Sequence, residues 1–306
     1  MGQLLSEPNT TKHCSGLHDA LYNGGVCSMQ GWRNHMEDHH NLFLNLPDDH
    51  KAAFFAVFDG HGGSSIAEYA MKHLHKRIVR RSEYNKSIVE AMEDGFLDID
   101  QIMKEDHTLN GNECGCTAIC VLIKNNLLYC ANAGDSRAIA CVNGMVYPLS
   151  YDHKPNNTRE KKRILAAGGT VKFNRVNGML AVSRALGDHQ FKKNESLGPR
   201  DQAVTALPDV TEQTLTPDWE FLVLACDGIW DVMSNQEVAS FVRDRITRRM
   251  EPEEICEELM DHCIAQELQH CRHGGVGCDN MTVLIIYLLQ GNPQTQLVRK
   301  CGLPPA

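Results

Sequence analysis

This chain contains no long hydrophobic run, no surplus of basic charge, no internal repeat and no low-complexity linker, and each absence removes a class of protein. The longest apolar stretch, Val283 to Leu289, falls far short of the roughly 20 residues a spanning helix needs and reads as a buried strand. With 30 Lys and Arg against 39 Asp and Glu the formal net charge is −9, so no basic face for nucleic acid is expected. No secretory signal opens the chain, and its thirteen cysteines are therefore expected to be free thiols in a reducing, cytoplasmic compartment. What remains is a chain of 306 residues, 42% hydrophobic, long enough to bury one large core.

Residues 1–20 and 291–306 are polar and lack periodicity, which reads as two tails around one folded domain at 21–290. Strands are expected at 42–46, 52–58, 117–123, 127–132, 137–142, 179–182, 204–206, 221–226 and 282–289, where Val, Ile, Phe and Tyr collect between turns. Apolar stripes predict helices at 64–81, 87–104, 157–167, 234–247 and 253–269, and Ser234-Asn235-Gln236-Glu237 has the form of a capping box. The strands come in hairpin-like sets and the helices in pairs. Two packed sheets with helices outside are expected, rather than a doubly wound parallel sheet.

Short acidic patches recur far apart: Met36-Glu37-Asp38, Asp59-Gly60-His61-Gly62-Gly63, Gly134-Asp135-Ser136-Arg137, Asp152-His153-Lys154-Pro155, Asp227-Gly228-Ile229-Trp230-Asp231 and Asp279-Asn280-Met281-Thr282. Three of these aspartates directly follow strand-like runs, so each projects from a rigid end, as a ligand for a hard cation should. Phosphate monoester hydrolysis is among the slowest uncatalysed reactions, and two divalent ions about 3.5–4 Å apart would supply both a nucleophile and a clamp on phosphate oxygens. Glu37, Asp59, Asp227, Asp279 and the Gly60 carbonyl form an all-oxygen set that selects Mg²⁺ or Mn²⁺ over zinc. His61, with a side chain that titrates near neutrality, is the candidate general acid, and the planar fork of Arg33 suits two phosphate oxygens. Asp135 reads as a structural turn residue and Arg184 as a structural ion pair.

Taken in order, these patches together with Ser28-Met29-Gln30-Gly31-Trp32-Arg33, Leu180-Ala181-Val182-Ser183-Arg184-Ala185-Leu186-Gly187-Asp188 and Leu224-Ala225-Cys226 resemble the motifs of the metal-dependent protein serine/threonine phosphatases, the type 2C family. The resemblance covers about 24 to 289 and implies an α+β fold of four layers, α/β/β/α, with a central antiparallel β-sandwich flanked by helix pairs. It implies that Asp59 bridges two tightly bound Mg²⁺ or Mn²⁺ ions. Asp227 and Asp279 would complete one ion, and Glu37 and the Gly60 carbonyl would serve the other. Asp152 and Asp231 match positions that hold a weak third ion, and Asp38 would stand behind the ligands. Arg33 then resembles the phosphate-binding arginine and His61 the general acid, with phosphoproteins as the partners. Phe191 to Asp201 matches a flap beside the cleft.

Two other activities compete: a catalytically dead regulatory module, against which the intact acidic set argues, and a hydrolase of small phosphate esters, which this set does not separate from a protein phosphatase. The His262, Cys263, His270, Cys271, His273 and Cys278 cluster has no paired zinc-ligand spacing. Met1-Gly2-Gln3-Leu4-Leu5-Ser6 fits the N-myristoylation pattern at Gly2, which would give reversible, peripheral membrane binding, since one acyl chain binds only marginally. The chain is expected to be a monomer.

Overall fold

A computed structural model describes residues 4–109 and 113–304; the myristoylation pattern at Gly2 falls outside them. Two antiparallel sheets face one another. The first runs in the order Leu4–His18, Tyr22–Arg33, Met281–Leu288, Trp219–Ala225, Arg137–Val142 and Met145–Pro148. The second runs Asp209–Thr214, Leu127–Ala133, Ala118–Lys124, Ala52–Phe58 and His39–Phe43.

The central strands are apolar on both faces because both faces are covered. From Ala52–Phe58, the side chains of Ala53, Phe55 and Val57 enter the core between the sheets, while Phe54, Ala56 and Phe58 pack outward. Helices Ser65–Val79 and Ile88–Glu105 cover that outer side through Ala70, Leu74, Phe96 and Ile99. Trp219–Ala225 divides in the same way, with Leu222 and Leu224 inward and Phe221 and Val223 outward. Those outward residues meet helices Asn235–Thr247, Pro252–Cys263 and Gln294–Cys301. Each fully buried Phe or Leu contributes about 1.5–3 kcal/mol, so the three cores dominate stability. The result is the expected α/β/β/α sandwich. The capping box also forms: Ser234 Oγ accepts from the Glu237 amide at 3.3 Å, and Glu237 Oε2 accepts from the Ser234 amide at 2.8 Å.

Several expectations need correction. Residues 4–18 are no irregular tail, since Leu4–His18 pairs antiparallel with Tyr22–Arg33 at the edge of the first sheet. Most of its side chains are exposed or half-buried, so it has no apolar alternation to read. The C-terminal stretch likewise contains the helix Gln294–Cys301, anchored by buried Leu297 and Cys301. Tyr22–Arg33 is a further strand, whose apolar pattern is interrupted by glycines. They serve close approach: a Cβ on Gly25 would lie 2.2 Å from the Glu253 amide nitrogen, where a covering helix rests on the strand. Segments 179–182 and 204–206 form only isolated bridges, and the helix expected at 253–269 stops at Cys263 before a short turn at Leu268–Arg272.

The thiols are not all free. Cys14 stands opposite Cys27 in the edge ladder and is bonded to it, and Cys271 is bonded to Cys278. Cross-strand register, which spacing along the chain does not reveal, brings the first pair together. The second removes two members of the His/Cys cluster considered for zinc. The nine remaining cysteines are buried.

Candidate metal centre

Strand ends deliver the acidic residues to one edge of the sandwich. Asp59 follows Ala52–Phe58, Asp135 follows Leu127–Ala133, Asp227 follows Trp219–Ala225, and Asp279 precedes Met281–Leu288. Ladder register explains the convergence, because Ala225 stands opposite both Val283 and Arg137, and the residues just beyond them fall together. Carboxylate oxygens of Asp59, Asp135 and Asp227 all lie within 4.8 Å of one another.

Glu37 and Asp38 come from the turn between Tyr22–Arg33 and His39–Phe43. Asn280 pins that turn: its Oδ1 accepts from the Glu37 amide at 2.9 Å, and its Nδ2 donates to Gln30 O at 2.7 Å and His35 O at 3.0 Å. A Cβ on Gly60 would lie 2.3 Å from the Glu37 backbone oxygen, so only glycine lets the turn close against the Asp59 strand end. Arg33, Glu37, Asp59, His61, Asp227 and Asp279 line a cleft of about 780 Å³.

The electrostatics are those of an unbalanced acidic cluster. Burial, then the charges of Asp227, Asp38, Asp279 and Asp135, push the Asp59 carboxyl well above the usual range. Burial and the Asp135, Asp279 and Asp231 charges do the same to Asp227. Asp38 is pushed up to about 7, chiefly by burial, although Thr282 Oγ1 donates to its Oδ2 at 2.8 Å. Its Oδ1 is buried without a hydrogen-bond partner. Two cations face this set: Lys154 pairs with Asp135, and Arg33 with Asp279. An all-oxygen set with excess negative charge and an orphaned buried carboxylate oxygen fits hard divalent cations.

His61 lies two residues beyond Asp59, and its Nε2 sits 2.7 Å from Asp188 Oδ2. Burial alone would lower its pKa; the adjoining Asp188 carboxylate more than offsets this and raises it. Asp152 gives both carboxylate oxygens to Arg137, at 2.9 and 2.8 Å, and Asp231 is exposed near Lys154 and Asp135. Arg184 is a structural residue, buried against Glu160 and Asp209. Asp135, read as a turn residue, instead joins the cluster, and Asp188 and Asn280 have roles that their motifs alone did not disclose. Their signal lay in the Gly-Asp and Asp-Asn pairs, which are indistinguishable from turns until strand ends converge. The expected flap, Phe191–Asp201, is tied by Lys192 and Arg200 to helix Ile88–Glu105 through Asp100, Glu93 and Asp94, while Arg175 and 179–182 line the cleft.

Sandwich, helix pairs and acidic edge define a phosphatase of the metal-dependent kind, and comparison with known proteins gives the family. Residues 22–271 match the family model described as Protein phosphatase 2C, and the chain belongs to that family. It is 52% identical over 305 residues to a probable protein phosphatase 2C of Caenorhabditis elegans, covering 99% of this chain and 85% of the relative. Identity to protein phosphatase 2C homolog 2 of Schizosaccharomyces pombe is 49%, covering 95% and 80%. A crystal structure of a phosphatase from Toxoplasma gondii superposes with a TM-score of 0.78 at 26% identity, covering 92% of this chain and 96% of that one. The chain is a protein serine/threonine phosphatase.

Proposed function

We propose that this phosphatase hydrolyses phosphoserine and phosphothreonine in proteins at a binuclear Mg²⁺ or Mn²⁺ centre that Glu37, Asp59, the Gly60 carbonyl, Asp227 and Asp279 would hold, with Asp59 contributing to both ions. When bound, such a pair of ions lowers the pKa of a coordinated water and neutralises charge on the phosphate. Around it, the guanidinium of Arg33 takes two phosphate oxygens, which orients the phosphorus for in-line attack. His61 gives its proton to the departing serine or threonine oxygen, a poor leaving group as an alkoxide. Asp38, behind the ligands, holds the Thr282 hydroxyl, and Asp152 and Asp231 serve a weaker third ion at the open side.

The observation that carries this reading is the convergence of Asp59, Asp135 and Asp227 within 4.8 Å in a cleft that also contains Glu37 and Asp279. The test is hydrolysis of phosphothreonine, phosphoserine and phosphotyrosine peptides with Mn²⁺, Mg²⁺, Ca²⁺ or chelator. The expected result is turnover of the first two with Mn²⁺ or Mg²⁺ and none with chelator. Undiminished turnover in chelator would reject the centre.

Among the described residues no helix is long and apolar enough to cross a membrane. A cytoplasmic monomer, brought reversibly to membranes by myristate on Gly2, is part of the same proposal. Myristate incorporation that persists in Gly2→Ala would refute the lipid site.

A further inference from the structure

His61 needs more than a suitable charge to act as an acid; it must hold one ring nitrogen toward the leaving oxygen. We propose that Asp188 is the positioning residue that fixes the ring and tautomer of His61. The inference rests on the reading of His61 as the proton donor. A carboxylate only accepts, so at 2.7 Å the Nε2 of His61 must carry the hydrogen, and Nδ1 is left as the nitrogen that can serve the cleft. In the imidazolium form the second hydrogen sits on Nδ1; when the P–O bond breaks, its electron pair stays on the leaving oxygen, which takes that proton and leaves the neutral ring with its hydrogen on Nε2.

Three features show that the contact is built in. Asp188 is 2% exposed, and its backbone sits in the left-handed region at φ 50°, an uncommon conformation for a residue other than glycine. The segment carrying it is clamped at both ends. Gly187 N–H donates to Asp100 Oδ1 at 2.8 Å, Asp188 N–H donates to Cys114 O at 2.9 Å, and Lys192 Nζ donates to both Asp100 oxygens at 2.8 Å. Finally, a Cβ on Gly115 would lie 2.2 Å from Asp188 Oδ2 and 2.6 Å from His61 Nε2. The strand beneath the pair leaves room for it only because that residue is glycine.

A double-mutant cycle separates positioning from mere structural support. Asp188→Asn is expected to lower kcat on a phosphothreonine peptide by about ten- to a hundredfold, with KM unchanged and little loss on nitrophenyl phosphate, whose leaving group needs no proton. In a His61→Gln background the same change should cost nothing further. Gly115→Ala, which keeps both groups and displaces one from the other, should reproduce the pattern if Asp188→Asn folds poorly. Independently of turnover, ¹⁵N spectra of the metal-free protein, recorded where the His61 ring is neutral, should show its one hydrogen on Nε2, and both variants should mix the tautomers. An equal loss in both backgrounds, or an unchanged tautomer, overturns the proposal. If His61→Gln itself loses activity equally on both substrates, the proton-donor reading fails with it; if His61→Gln is selective and Asp188→Asn is not, positioning alone fails.

Discussion

Two of the buried charge clusters among the described residues were assembled to opposite ends. Around Arg184, Glu160 accepts from the guanidinium at 2.8 Å and also pairs with Arg163 at 2.6 Å, while Asp209 pairs with Arg184 at 2.7 Å. Burial alone would raise Glu160, but Arg184, Arg163 and the Ser183 hydroxyl hold it at about 2, and His153 and Arg184 hold Asp209 well below the carboxylate range. At the cleft, Asp59 and Asp227 are driven the other way by burial and by neighbouring carboxylates, Asp227 acting on Asp59 and Asp135 on Asp227. The same residue types are thus a structural rivet where cations match them and a cation site where they do not.

The largest test of that contrast is Asp59→Asn. Activity should vanish even at saturating Mn²⁺, because the bridging carboxylate is lost from both ions at once. In chelator, however, the variant should be more thermostable than the parent, since a repelling charge has been removed. Retention of more than a few per cent of activity would end the bridging assignment, and a lowered midpoint in chelator would end the repulsion argument.

In the balanced cluster the same logic predicts the opposite outcome. Arg184→Met leaves Asp209 with only His153 and Arg159 and Glu160 with one partner fewer, and should cost about 3–5 kcal/mol in denaturant unfolding. Turnover per folded molecule should stay close to that of the parent. A variant as stable as the parent would mean that the network contributes only surface-like pairing.

Acid unfolding sharpens the comparison further. The folded-state pKa of Glu160, about 2, lies below its ordinary 4.5, so its stabilisation is fully present above about 4.5 and is lost as pH falls toward 2. That stabilisation is on the order of 3 kcal/mol. Glu160→Gln should therefore lower stability at neutral pH and flatten its fall between pH 4.5 and 2. An unchanged slope would show that the carboxylate titrates alike in folded and unfolded chains.

The balanced and unbalanced clusters differ in how much of each the sequence discloses. Asp59, Asp227 and Asp279 are legible because each abuts an apolar strand, and strand ends are rigid whatever the topology. Glu160 and Asp209 carry no such mark, since one lies in a helix and the other opens a polar strand at the sheet edge. Asp135 also follows a strand-like run, but like Asp188 it sits in a Gly-Asp pair, and such a pair reads as a turn until another strand end meets it. The four layers follow from two-sided apolar strands such as Ala52–Phe58 and from helix stripes. Leu4–His18 escaped because an edge strand wet on most of its surface leaves no pattern.

The smallest expected effect falls between the two clusters, at Asp152. Arg137 takes both its oxygens, so Asp152 resembles the balanced network, yet Asp231 and Asp135 also contribute to the field on Arg137. Arg137 is held besides by Asn235 at 2.7 Å and lies over the Trp230 ring, so Asp152→Ala need not unfold the edge. If Asp152 serves a labile third ion, Asp152→Ala should leave the two tight ions in place, lower turnover severalfold, and raise the Mn²⁺ concentration needed for half-maximal activity. Metal counting decides the point. Loss of one of the two tightly bound ions would put Asp152 in the central set, whereas full turnover at ordinary Mn²⁺ would make it, like Glu160, a partner for an arginine and nothing more.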